Sequence, residues 1–131
     1  MGRLGQAKKD RMKRITLLII IIFSCVLMKA QREYYMRQAR SYQHEAEYYT
    51  KQALGYDKEV AYYNRQAQGY LREAEYYSKR GKYGQVKSYQ RKAKEASDKA
   101  ESYKRKADNA RDKAKSYMRK AENALQNAKK R

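Results

Sequence analysis

Tyrosine is the side chain in this sequence best placed to do chemistry, and its spacing is regular. Pairs fall at Tyr34-Tyr35, Tyr48-Tyr49, Tyr62-Tyr63 and Tyr76-Tyr77, fourteen residues apart, with Tyr42, Tyr56 and Tyr70 midway. After one break the rhythm resumes at Tyr89, Tyr103 and Tyr117. Phenol rings stack on planar ligands. Around them stand 33 Lys and Arg against 14 Asp and Glu, a net charge of +19. Such a field attracts anionic polymers and surfaces. Enzyme chemistry has little to work with. His44 and Cys25 are the only residues of their kinds, and Gly55, Gly69, Gly81 and Gly84 do not form a phosphate loop. No catalytic, metal or cofactor site is expected, and the chain reads as a non-enzyme.

The elements that position the rings follow from a repeat, which is read first in such a chain. It has the form Tyr-x-basic-x-Ala, as in Tyr49 to Ala53, Tyr63 to Ala67, Tyr103 to Ala107 and Tyr117 to Ala121. The steps alternate four and three, the heptad of a coiled coil. With Ala39 at a, the first a series is Ala39, Ala46, Ala53, Val60, Ala67 and Ala74. Its d series is Tyr35, Tyr42, Tyr49, Tyr56, Tyr63, Tyr70 and Tyr77. The second a series is Ala93, Ala100, Ala107, Ala114, Ala121 and Ala128, and its d series alternates Tyr89, Ala96, Tyr103, Ala110, Tyr117 and Ala124.

The break holds Arg80-Gly81-Lys82-Tyr83-Gly84, and glycine is the usual residue just past a helix end. The expected fold is all-α: a long antiparallel two-helix coiled-coil hairpin with a Tyr/Ala seam. Helix 1 is placed at 31–80, the turn at 81–84 and helix 2 at 84–131, with 31–131 as one domain. Folding about the turn sets Tyr63 level with Ala100, Tyr56 with Ala107, Val60 with Tyr103 and Ala74 with Tyr89. Each layer puts a ring against a smaller side chain. The flanks then predict Glu73–Lys92, Glu59–Lys106, Glu45–Lys120 and Asp57–Lys104 pairs. After residue 30 the aliphatic supply is three leucines, two valines and two methionines. A seam so thin predicts self-association or a protein partner.

Two surfaces remain. Position c of helix 1 carries Tyr34, Tyr48, Tyr62 and Tyr76, alternating with Ser41, Gly55 and Gly69; it is a candidate docking face. Position f carries Arg37, His44, Lys51, Lys58, Arg65, Arg72 and Lys79, and helix 2 adds Arg91, Arg105 and Arg119. These basic residues, His44 apart, are candidate polyanion contacts. Residues 85–131 carry +10, whereas 31–81 carry +2.

Residues 1–30 read as an address. Six basic residues (Arg3, Lys8, Lys9, Arg11, Lys13 and Arg14) precede the uncharged run Ile15–Met28, and Lys29-Ala30-Gln31 follows. Translation could start at Met1 or at Met12. The segment resembles the signal peptides of Gram-negative envelope proteins that end in Ala-Gln, which implies cleavage after Ala30 and export to the periplasm or cell envelope. Ile22-Phe23-Ser24-Cys25 resembles a lipobox, which makes Cys25 a candidate lipidation site. An uncleaved anchor is the third alternative. Membrane contact is therefore expected only through residues 15–28 or a lipid on Cys25.

Other resemblances are local. Tyr70, Ala74, Tyr77, Gly81, Tyr83, Val86, Tyr89 and Ala93 resemble one tetratricopeptide helix-turn-helix. The basic, exported, long-armed character resembles the Skp/OmpH chaperone family, which implies a holdase. The alanine seam resembles the murein lipoproteins, which implies an envelope tether. The expected function is a structural or adaptor hairpin of the envelope that binds an anionic polymer or a protein. A basic coiled coil that binds nucleic acid, stacking bases on tyrosine, is the alternative from another class.

Overall fold

Alanine, lysine, arginine, glutamate and glutamine are good helix formers, and no proline interrupts them. The computed structural model describes residues 2–130, and its described elements are two helices, α1 (Gly2–Lys79) and α2 (Tyr83–Lys129). The ends assigned from sequence to Met1 and Arg131 lie outside the described residues. The helices pack on each other as a hairpin. Helix α1 is longer than the repeat, because residues 2–30 are helical and continuous with it.

The turn is built by one glycine. Gly81 takes φ +70°. The Lys82 N–H donates to the Tyr77 carbonyl and the Gly81 N–H to the Ser78 carbonyl, both at 3.1 Å. These are the two bonds of a Schellman cap. The Val86 N–H then donates to the Lys82 carbonyl at 3.2 Å, so Lys82 closes one helix and opens the next. The connection is tighter than the sequence indicated, with α2 starting at Tyr83.

Chain contacts group into two units, Met1–Tyr42 with Lys120–Arg131, and Gln43–Arg119. In the second unit, Ala46, Ala53, Ala67 and Ala74 of α1 and Ala93, Ala96, Ala100, Ala107, Ala110 and Ala114 of α2 are buried. In the first, Ala39, Ala121, Ala124 and Ala128 are buried. Every buried hydrophobic residue among those described is therefore an alanine at an a or d position. The seam tyrosines and Val60 are half-buried. Alanine excludes little water at about 0.8 kcal/mol per buried methyl-sized group. Its contribution is closeness: a methyl at each contact lets the two backbones approach and leaves room for the rings.

Residues 15–28 lie in the first unit and are exposed on every side, from 46% at Met28 to 66% at Phe23 among the large apolar residues. A helix apolar all round needs a membrane or another apolar surface. Helix α1 is long enough, and around this segment apolar enough, to cross a membrane, and the segment's place near the N-terminus is equally compatible with a signal sequence. The uncharged run itself spans about 21 Å, against about 30 Å of bilayer hydrocarbon. Lys13, Arg14 and Lys29 flank it with long stems that can reach the headgroups.

The two kinds of glycine separate by experiment. Gly81→Ala forces a side chain into the left-handed region and should cost about 1–2 kcal/mol. Gly55 has open space where a Cβ would stand. Gly55→Ala should therefore stabilise α1 by about 0.5–1 kcal/mol. Thermal unfolding of the full chain in neutral detergent, followed by circular dichroism, should show opposite shifts of a few degrees.

Candidate functional site

The d-position tyrosines do more than face alanine. In the Gln43–Arg119 unit, each α2 ring lies level with a small a residue of α1 and so falls between two α1 rings. Tyr103 meets Tyr56 at 6.1 Å and Tyr63 at 5.7 Å between centroids. Tyr89 meets Tyr70 at 6.3 Å and Tyr77 at 5.5 Å. Tyr117 meets Tyr49 at 5.7 Å. In each set the Tyr63, Tyr77 or Tyr49 contact is a flat stack, with planes within 10°. Ring pairs of this kind contribute about 0.5–1.5 kcal/mol beyond their burial. This is the register the heptads specify, and the ring-on-ring contact is its added result.

The lysines at g of α2 depart from expectation. Lys92 and Lys106 form no ion pair with Glu73 and Glu59 among the described residues. Lys92 sits 5.2 Å above the Tyr89 ring and 6.0 Å from that of Tyr70. Lys106 sits 4.9 Å above Tyr103, Lys99 5.4 Å above Tyr63 and Lys113 5.2 Å above Tyr49. In the other unit, Lys120 lies 5.9 Å above Tyr42. The cause is the direction of helical side chains, which lean back toward their own N-terminus over the preceding turn. For Lys92 and Lys106 that turn holds the d-position ring of α2, Tyr89 or Tyr103; for Lys99 and Lys113 it holds Ala96 or Ala110, and the lysine lies over the α1 ring packed across that alanine. A lysine over a ring gains about 0.5–1 kcal/mol at an exposed site.

The same lean relocates the e-position ion pair. Asp57 bonds Arg111, one heptad beyond the expected Lys104. In antiparallel helices, Asp57 and Arg111 lean toward each other, whereas Asp57 and Lys104 lean apart. Arg111 also donates to Asp108 at 3.3 Å. The bond to Asp57, above all, holds the Arg111 guanidinium more firmly protonated than usual.

The candidate docking face is ordered. Tyr34, Tyr48, Tyr62 and Tyr76 are exposed, and each packs edge-on against the next tyrosine at 5.1–5.5 Å. Gln38, Gln52 and Gln66 donate side-chain hydrogen bonds to the Tyr34, Tyr48 and Tyr62 hydroxyls at 2.8–2.9 Å. The Arg80 guanidinium covers Tyr76 at 4.3 Å. These contacts orient the rings without burying them.

The candidate polyanion residues Arg37, Lys51, Lys58, Arg65, Arg72, Lys79, Arg91, Arg105 and Arg119 are all exposed. Two of them have acidic neighbours: Arg37 pairs with Glu33 at 3.9 Å, and Lys79 with Glu75 at 3.5 Å. His44 and Cys25 are exposed. Among the described residues, no three His, Cys, Asp or Glu side chains converge as a metal site would require. The concavities are open grooves, such as the one lined by Gln43, Ala46, Glu47, Thr50, Lys51 and Met118.

The lysine row is the feature that the sequence reading missed as a unit. Its signal was present: lysine at g of α2 in five successive heptads, beside a Tyr-rich d series. No protein-family model, curated protein or solved structure matches the chain.

Alkaline titration tests the ring packing. Tyr77, then partial burial, then Glu73 push the Tyr89 phenol above its ordinary 10.0. The folded chain thus holds this proton more tightly than the unfolded chain does. The associated stability is present below pH 10 and is lost as pH rises through the raised value. The unfolding temperature should fall as pH rises above about 10, the ordinary tyrosine value, and Tyr89→Phe should blunt that fall. Lysine deprotonation is common to both chains, so their difference isolates Tyr89.

Proposed function

We propose that this chain is a non-enzymatic helical hairpin of the cell envelope that binds an anionic polymer through its basic arm. The observation that carries the reading is the row Lys92, Lys99, Lys106 and Lys113. The four side chains are exposed, recur once per heptad and face rings rather than carboxylates. Their charge is ordered but not neutralised. They stand about 10.5 Å apart along α2, a straight array suited to a linear polyanion. The +10 of residues 85–131 surrounds them, with Arg91, Arg105 and Arg119 at f.

Export is part of the proposal and rests on the exposed apolar segment after a basic N-terminus. With residues 15–28 as signal or anchor, the hairpin lies outside the cytoplasm, and the ligand is an envelope polymer. Cys25 would add a lipid tether. A holdase role and self-association remain compatible with the thin alanine seam. Nucleic acid fits less well. Tyr48, Tyr62 and Tyr76 recur every about 21 Å of helix, too far apart to stack successive bases.

The test uses the full chain in neutral detergent on immobilised anionic polysaccharide, neutral dextran and duplex DNA. The anionic polysaccharide should retain the chain at low salt and release it as salt rises, because exposed charges are screened within about 8 Å at physiological ionic strength. A variant with all four row lysines changed to glutamine should elute at clearly lower salt. If a four-charge contact follows the DNA relation, a fourfold rise in salt costs about 100-fold in affinity. No retention on the anionic polysaccharide removes the reading, and stronger retention on DNA replaces it with the nucleic-acid one.

A further inference from the structure

The Gln43–Arg119 unit repeats one arrangement of rings three times. An exposed α1 ring meets its neighbour edge-on: Tyr48 on Tyr49 at 5.2 Å, Tyr62 on Tyr63 at 5.1 Å and Tyr76 on Tyr77 at 5.1 Å. The second ring of each pair lies flat on a ring of α2. Tyr49 stacks on Tyr117 at 5.7 Å and 7°, Tyr63 on Tyr103 at 5.7 Å and 9°, and Tyr77 on Tyr89 at 5.5 Å and 10°. Each series runs from the surface into the seam and across to the other helix. The sole cysteine, Cys25, lies outside this unit, so no disulfide within the chain can join the arms.

We propose that the three stacked pairs are oxidative cross-linking sites, where a one-electron oxidant of the peroxide-charged haem peroxidase class joins α1 to α2 by dityrosine bonds. The bonds are Tyr49–Tyr117, Tyr63–Tyr103 and Tyr77–Tyr89. In each pair, both phenols give one electron to the oxidant and release the hydroxyl proton, forming two phenoxyl radicals. The radicals couple through one new carbon–carbon bond between ring carbons ortho to oxygen. Each ortho carbon then loses its hydrogen as a proton while the oxygen regains one, restoring both phenols. The net change is the loss of two hydrogens per bond, and one hydrogen peroxide is reduced to two waters.

The exposed ring gives each series its entry point. The seam rings are half-buried, so a protein-sized oxidant meets the exposed rings first. It can take an electron from Tyr48, Tyr62 or Tyr76, and the edge-on neighbour refills that ring and carries the vacancy inward. Stacking then holds the two coupling partners together, on different helices, without a diffusive search. Tyrosine χ2 is broad, so the rings can twist toward each other without leaving their rotamer wells. The small a residues beside them leave room for that turn. This use accounts for doubled tyrosines: one ring is outside for access and one is inside for coupling. Closure suits a seam whose buried members are alanines.

The experiment treats the full chain in neutral detergent with a haem peroxidase and hydrogen peroxide. Dityrosine fluorescence should appear on monomeric chains. Peptide mass spectrometry should find the three cross-helix pairs, each two hydrogens lighter than its parts. Denaturing urea before oxidation should lower the yield of those pairs several-fold, because nothing then holds the rings together. Tyr63→Phe keeps the ring and should remove only the Tyr63–Tyr103 product, while circular dichroism confirms that the helices remain. Products mainly between chains, or a pair distribution unchanged by urea, would overturn the proposal. So would coupling centred on Tyr34 or Tyr83 in place of the stacked pairs.

Discussion

The close approach of two helices across alanine methyls is the constraint on which the other features depend. Tyrosine at every d position of α1 would hold a partner helix away if that partner also presented bulk at every step. From Ala93 onward the a positions of α2 are alanine, and its d positions alternate ring and methyl. Rings of one helix therefore enter spaces left by the other, and the half-buried tyrosines meet face to face.

That constraint also organises the charge. A g-position lysine in an ordinary coiled coil faces a carboxylate across the seam. Here the turn beneath each lysine is occupied by an aromatic face, of its own helix or of the other. At Lys92, Lys99, Lys106 and Lys113 the ammonium settles over a ring and not against an acid. A packing pattern in the seam thus fixes an electrostatic pattern on the surface, as a row of ordered cations at heptad spacing. The glutamates left behind, such as Glu73, act on the tyrosines, and Glu73 is one of the groups that hold the Tyr89 proton in place.

Much of this was legible in the chain. The fold class follows from the alternation of four- and three-residue steps, and the turn follows from the single lapse at Gly81. The hairpin register follows because one fold point sets every tyrosine against a smaller residue. The electrostatic details were not legible, for a shared reason. Pairing by heptad position treats side chains as points beside their own Cα. Real side chains lean toward the helix N-terminus, so Asp57 reaches Arg111 and Lys106 reaches the ring one turn behind it. The helix start was also hidden. Composition marks a boundary near residue 30, but backbone hydrogen bonding is indifferent to the change from apolar to polar side chains, and α1 runs through it.

Sequence by itself determined the periodicity, the place of the glycine turn, the alanine positions of the seam, the exposed tyrosine line and the excess of charge in the second arm. These are one-dimensional properties, set by residue type and spacing. Tertiary structure alone decided that α2 tyrosines lie between pairs of α1 rings, that three of those contacts are flat stacks, and that lysines choose rings over carboxylates. Such outcomes depend on how the Cα–Cβ directions of one helix meet those of the other and on the distance between two backbones, which are set only once both helices are in place.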